Sequence, residues 1–272
     1  MTCDVEDYFQ VSAFADYFDK ADWTSVECRV SRNIDLILQM FSESGVKGTF
    51  FVLGWFAEHF PHVIQRIAAE GNEIASHGMV HTRVWQQTRD EFAADAYESK
   101  IRLEDVAGVP VVGYRAASWS IDERSPWAHD VLAEIGYEYS SSVYPINHDH
   151  YGSAAAPTVA YRVKPSGILE IPPSTVRLFG RNLAAAGGGF FRLYPLPLSR
   201  WLVDRVRESG VPYVFYFHPW EIDPDQPRVD AAPAKARFRH YLNLKKFESR
   251  LRNLLETYRW DRMDSVFLGR ER

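Results

Sequence analysis

Two imidazoles four residues apart, in Ser76-His77-Gly78-Met79-Val80-His81, and the carboxylates of Asp4-Val5-Glu6-Asp7 are the side chains best suited to chemistry. Histidines at i and i+4 share one face of a helical turn, with Cβ atoms about 5–6 Å apart, close enough to grip one ion. A carboxylate from another element would complete a His-His-carboxylate set. Such a set leaves coordination positions open, so a divalent metal can activate water rather than merely brace a fold. The nine histidines of the 272-residue chain would give about 0.3 such pairs by chance, so the spacing gains force only from its context.

That context is the set of elements that must hold these residues. Short β-rich runs alternate with helical patterns, the signature of βαβ units in a parallel sheet. Residues 2–5 read as a strand end. Segment 31–44 puts Ile34, Ile37, Leu38 and Phe41 on one helical face, and Gly45 ends it. A second strand is expected over 48–53. Pro61 opens a helix to residue 70 that Gly71 stops, and a third strand over 73–76 delivers His77 at its C-terminal end. Helices over 90–106, 126–135 and 198–208 and strands over 111–114, near 137, over 169–171 and over 212–217 repeat the theme. Seven or so strands with interleaved helices imply a barrel. Asp4, Glu6, His77, Arg115 and His218 all follow strands, and in a parallel barrel those ends share the face where loops collect catalytic groups. One domain is expected over 1–272, with a C-terminal helical extension from about residue 235.

Composition narrows the function classes. Hydrophobic residues make up 46% of the chain, ample for a core. The net charge is −5, with Lys and Arg scattered, so a nucleic-acid binder's electrostatic footprint is missing. Aromatic residues reach 14%, with eight Trp, and aromatic faces suit the apolar faces of sugar rings. No apolar run approaches the ~18 residues of a membrane span, and no basic segment followed by an apolar one opens the chain, so a soluble, cytoplasmic protein without membrane insertion is expected. Cys3 and Cys28 are too few for a disulfide framework, and Cys3 reads as a buried strand residue. Oligomeric state has no signature in this pattern.

The order of these motifs, acidic cluster, His-x-x-x-His, Arg115 and a late strand ending in His218, resembles the polysaccharide deacetylases of carbohydrate esterase family four. Asp4-Val5-Glu6-Asp7-Tyr8-Phe9-Gln10-Val11, Gly187-Gly188-Gly189-Phe190-Phe191-Arg192 and Phe215-Tyr216-Phe217-His218-Pro219-Trp220-Glu221-Ile222-Asp223 resemble, more narrowly, exosortase-associated exopolysaccharide deacetylases. The stretch from Phe238 to Trp260 resembles that group's C-terminal extension. The resemblance implies a distorted (β/α)7 barrel and metal-dependent removal of N-acetyl groups from N-acetylhexosamine units of an exopolysaccharide or its precursor. Under it Asp4 would be the general base, His218 the general acid, and Arg115 would hold the Asp4 carboxylate through a bidentate fork. His77 and His81 would hold the metal, Zn²⁺ first and Co²⁺ or Ni²⁺ as alternatives. The carboxylate ligand is Glu6 or Asp7. Residues i and i+2 of an extended segment point the same way, so Glu6 shares a cavity with Asp4 more easily than Asp7 does. Tyr8, Ser118, Trp119 and Trp220 adjoin these motifs and are expected to meet the N-acetylated glycan.

Two positions depart from the family's pattern. Ala117 stands where a proline is usual, and Ser140 stands where an aspartate would tune the catalytic histidine, so either His218 is less basic or another acid such as Glu221 or Asp223 substitutes. Two rival readings follow from the same residues: a metal-free amidohydrolase of the allantoinase type, which shares the Asp-x-Glu variant, and a degenerate barrel that binds polysaccharide without turnover. Asn147-His148-Asp149-His150 reads as a solvated loop and the run Ala184 to Gly189 as a mobile flap over a sugar groove. The stretch Tyr241 to Leu255 reads as an amphipathic surface helix.

Overall fold

The computed structural model describes residues 1–148 and 151–270; Asp149 and His150 of the Asn147–His150 stretch lie outside the described residues. The chain runs β1 (Thr2–Val5), α1 (Val30–Glu43), β2 (Thr49–Val52), α2 (Gly54–His59), α3 (Pro61–Ala69), β3 (Glu73–Ser76), α4 (Arg89–Ala107), β4 (Gly113–Tyr114), α5 (Ala128–Ile135) and β5 (Tyr139–Ser140). It continues through β6 (Tyr161–Arg162), β7 (Leu169–Glu170), β8 (Thr175–Leu178), β9 (Arg181–Ala184), α6 (Gly188–Leu193), α7 (Leu196–Glu208), β10 (Tyr216–Phe217), α8 (Ala234–Tyr241), α9 (Leu244–Thr257) and α10 (Met263–Leu268).

One sheet has the order β10-β1-β2-β3-β4-β5-β7-β6. Its first seven strands pair parallel and β6 lies antiparallel at the far edge. Between β7 and β10 the ladder gives way to a seam: the Ser174 amide donates to Val214 O (3.2 Å) and the Val214 amide donates to Ser174 Oγ (2.8 Å). A curled sheet of seven parallel strands joined by so thin a seam is the distorted barrel that the sequence implies.

The alternation of side chains across each strand sets inside against outside. Phe50 and Val52 join the large core shared with the surrounding helices, whereas Phe51 points inward to Ala75, Val112, Tyr139, Ile171, Val214 and Met263. Met263 comes from α10, which plugs the N-terminal end of the barrel. Its amide donates to Thr49 Oγ1 (2.7 Å) and that of Asp264 to Glu73 Oε2 (3.1 Å), both at the starts of strands. The expected helices appear with boundaries shifted by up to three residues, because amphipathic spacing fixes a helix better than its ends. Helix α1 buries Ile34, Ile37, Leu38 and Phe41 as read. Helix α9 buries Leu244, Phe247, Leu251, Leu254 and Leu255, each worth about 1.5–3 kcal/mol of apolar burial at most. Helices α2 and α6, strand β6 and the two-stranded β8–β9 hairpin have no counterpart among the expected elements. No described helix is long and apolar enough to cross a membrane, and both cysteines are free thiols.

Candidate active site

Strand β3 ends at Ser76 and hands His77 to the barrel mouth. Of the two forms open to the histidine pair, a loop or a first helical turn, the next four residues take the loop: Gly78 has φ 77° and His81 φ 53°. Two elements, α2 and α4, hold that loop. The Gly54 and Trp55 amides of α2 donate to the Gly78 and Met79 carbonyls at 2.8 and 3.0 Å, Ser99 Oγ of α4 donates to Gly78 O at 3.1 Å, and Asp95 Oδ2 accepts from the Met79 amide at 3.1 Å. A side chain at Gly78 would run into Asp95. The imidazoles are thereby brought together with ring centroids 5.2 Å apart.

Glu6 closes a triad with them. One ligand atom from each of Glu6, His77 and His81 lies within 4.8 Å of the others, and all three side chains are almost wholly out of solvent. Glu6 Oε2 stands 3.0 Å from His81 Nε2, yet it accepts no hydrogen bond, an orphaned buried carboxylate oxygen facing imidazole nitrogens. His77 Nδ1 sits 2.7 Å from the Arg115 carbonyl, which can only accept, so Nδ1 carries the proton and Nε2 keeps its lone pair. Burial lowers the His77 pKa to about 4 against the pull of Asp4, which keeps the ring neutral. A neutral imidazole, a second imidazole and an unbonded carboxylate fit a divalent cation. Asp7 is turned away. Its oxygens accept from the Tyr8 amide (2.7 Å) and the Arg29 amide (2.5 Å), which ties β1 to the start of α1.

Asp4 lies one strand residue before Val5, in register with Phe51 of β2. The fully buried Arg115, which follows β4, reaches its Oδ1 through Nη1 at 2.5 Å. The bidentate fork expected between them does not form, because the guanidinium is shared: Nη1 also reaches Thr2 Oγ1 (2.8 Å), Nη2 Ser141 Oγ (2.9 Å) and Nε Ser141 O (3.2 Å). Its centre sits 3.9 Å from the centroid of Phe51. So many partners offset the desolvation of a buried cation.

His218 follows β10 on the opposite side of Glu6, with Nε2 3.3 Å from Glu6 Oε1. Its Nδ1 meets Glu221 Oε2 at 3.2 Å, and that oxygen also accepts from the His218 amide at 3.0 Å. Of the two acids expected to stand in for the missing aspartate, Glu221 therefore takes the position, while Asp223 pairs with Arg29 at 2.6 Å. Burial opposes a charge on His218, but Glu6 and Glu221 outweigh it and raise its pKa to about 9. Burial likewise opposes charge on Glu221, and Arg192 with His218 holds its carboxyl below the ordinary value.

The expected sugar contacts need correcting. Tyr8, Trp119 and Trp220 are only 3, 5 and 6% exposed, which leaves no ring face for a pyranose. Tyr8 packs edge-on against Phe9 and Phe18; Trp119 meets Tyr216 and Tyr144 and lies under Arg115. Trp220 is stacked with both His218 and His240. Trp119 and Trp220 thus wall the centre from behind Arg115 and His218. Ser118, half-buried with φ 53°, shares a 2.6 Å hydrogen bond with Ser12 and retains access. The Gly-rich run is not a flap either. Ala184 to Gly188 are buried, and a Cβ on Gly188 would overlap the Glu221 carboxylate, so the absent side chain is what admits that group.

Residues 17–140, which include His77, His81 and Arg115, match the family model described as polysaccharide deacetylase. Residues 17–140 belong to the polysaccharide deacetylase family. The rest of the chain that carries this deacetylase domain, residues 141–268, matches a family described only as a domain of unknown function. A chitooligosaccharide deacetylase of Bradyrhizobium is 28% identical over 188 residues, 59% of this chain and 81% of that one. A peptidoglycan-N-acetylglucosamine deacetylase of Bacillus cereus is 36% identical over 72 residues, 26% of each chain, so only about a quarter of that relative's length is spanned. Among solved structures, a protein of Mycobacterium smegmatis assigned to the polysaccharide deacetylases superposes with TM-score 0.63 at 20% identity, covering 97% of this chain and 87% of that one. The PuuE allantoinase superposes with TM-score 0.55 at 15% identity, over 84% and 68% of the two chains. Both likenesses concern the fold.

Around the deacetylase domain the sequence left two functional neighbours unassigned. Asp95 steadies the histidine loop from α4, and nothing in its helical context distinguishes it from a surface acid. Arg192 meets Glu221 at 2.8 Å, and the three glycines before it were the available signal, since such a run allows close approach to something.

Proposed function

We propose that this chain is a metal-dependent N-deacetylase acting on N-acetylhexosamine units of an exopolysaccharide or its precursor. The observation that carries the reading is the convergence of Glu6, His77 and His81 with an Arg-held Asp4 on one side and His218 on the other. The first three would hold the cation, Zn²⁺ in the first instance. When bound, it supplies Lewis acidity at an amide carbonyl and lowers the pKa of water toward ~7. Asp4, fixed by Arg115 and almost wholly out of solvent, accepts a proton as general base. His218 Nε2 faces the same centre and delivers a proton to the departing amine, which leaves only when protonated. The exopolysaccharide substrate rests on the motif resemblance alone, and the relatives' names support N-acetylated glycans as the class.

The test is acetate release from N-acetylglucosamine oligomers by protein stripped with chelator and reloaded with Zn²⁺, beside His77→Ala and Asp4→Asn. Turnover by the reloaded wild type that both variants lose is the expected result. Tight Zn²⁺ binding with no acetate from any N-acetylated glycan would overturn it. Chelator-resistant hydrolysis of a cyclic ureide would favour the allantoinase-type reading instead.

A further inference from the structure

Arg192 is a long cation with 2% exposure, and no surface charge explains its burial. Its Nε donates to Glu221 Oε1 at 2.8 Å, while Nη1 donates to two carbonyls, His240 O at 2.8 Å and Leu242 O at 2.7 Å. Those carbonyls lie where α8 ends and before α9 begins. The Arg192 carbonyl in turn accepts from Asn243 Nδ2 at 2.8 Å, so the residue is locked to that connection through both its side chain and its backbone. Glu221 is fully buried and spends its other oxygen on the amide and Nδ1 of His218. Gly188 leaves the room the carboxylate occupies. His240 packs its ring on Trp220, and Trp220 on His218, so the same connection presses on the imidazole face that Glu221 holds by its edge.

We propose that Arg192 and Glu221 form a buried clamp that fixes the orientation of His218 with Nδ1–H toward Glu221 and Nε2 toward the reacting centre. The segment matched to a domain of unknown function thereby supplies both the late histidine and the frame that aims it. A carboxylate acceptor sets which ring nitrogen carries the proton, and an arginine that spans three acceptors in one plane fixes the carboxylate in a way a lysine cannot. Glu221 and Arg192 are positioning residues, since neither faces Glu6 or Asp4.

The proposal rests on the reading of His218 as general acid, so its test includes an arm that needs no turnover. In ¹⁵N-histidine-labelled protein, wild type is expected to give a slowly exchanging, downfield Hδ1 signal from His218, identified by its loss in His218→Asn. That signal should disappear or move upfield in Glu221→Gln and in Arg192→Met. Acetate release, if the wild type performs it, should show kcat lowered about 10–100-fold in both variants with KM within about 2-fold, the usual reach of residues behind the reacting shell. Glu221→Asp, which keeps the charge, should recover part of the loss. Should Arg192→Met fail to fold, Arg192→Lys keeps a charge without the spanning geometry and is expected to weaken the Hδ1 signal. Folded variants with an unchanged Hδ1 signal and unchanged kcat would overturn the clamp. Loss of the signal in a protein that never releases acetate would leave the clamp standing and remove the deacetylase reading.

Discussion

At the residue scale, the centre is decided by which partners each buried charge has. Arg115 meets hydroxyls, a carbonyl and an aromatic face, but among the described residues a single anion, Asp4. Asp4→Ala therefore strands a guanidinium that cannot lose its proton, and removing one partner of a buried pair costs about 3–5 kcal/mol. We expect a lowered thermal midpoint together with a loss of about 10²–10⁴ in turnover, the range of a general base. A midpoint equal to wild type would mean that the cation has another anion. Glu6 and Asp7 separate by the same logic. Glu6 has an unbonded oxygen among imidazoles and Asp7 has none to spare. Isothermal titration with Zn²⁺ should find Glu6→Gln weakened by more than the ~100-fold typical of supporting residues, and Asp7→Asn little changed. Equal losses would return Asp7 to the ligand set. The types of these residues were legible because His, Asp and Glu are the metal and proton-transfer side chains. Their surroundings were not: stacking of His240 on Trp220 links two distant positions through a connection no local pattern encodes.

At the scale of elements, the start of α6 is the clearest case of a sequence feature whose meaning needed three dimensions. Three glycines in a row suggest mobility, yet Gly188 meets the Glu221 carboxylate at less than van der Waals distance for any Cβ, while Gly189 has open space around its own. Gly188→Ala should push Glu221 off His218, with about 1–3 kcal/mol of overpacking and a fall in kcat. Gly189→Ala is the matched control. It sits in the same helix, and replacing a helical glycine gains about 0.5–1 kcal/mol, so its midpoint should hold or rise and its kcat stay put. Equal behaviour of the two would show that the run is loose. The amphipathic helices were readable because period 3.6 leaves an imprint over ten or more residues. Strands β4, β5, β7 and β10 were readable from their β-rich runs over 111–114, near 137, over 169–171 and over 212–217, but each is only two residues long, too short for alternation to fix its ends. The β8–β9 hairpin turns at Phe179-Gly180, whose first residue carries φ 47° without the usual Asn or Asp signal.

For the whole molecule, the boundary between the two matched segments falls at residues 140 and 141, immediately after β5 and inside the barrel. Strand β5 pairs with β7 and β1 pairs with β10, so two strands of the parallel set come from beyond that boundary. Arg115 depends on Ser141 for two hydrogen bonds, and the plug residue Met263 fills the barrel floor under Phe51 and Tyr139. A chain cut after residue 140 would expose two parallel strand edges and the apolar interior at once, and parallel strands are stable only when covered. We expect residues 1–140 expressed alone to aggregate or to show no cooperative unfolding, whereas residues 1–272 give a single transition by circular dichroism and by tryptophan fluorescence. Two separate transitions in the long form, or a folded short form that binds Zn²⁺ as tightly, would mean that the early half carries its own core. Glu6, His77, His81 and Asp4 all lie before residue 140, so Zn²⁺ binding by the short form distinguishes a missing scaffold from a missing side chain: every proposed ligand is present, and only the strands that hold them in register are gone.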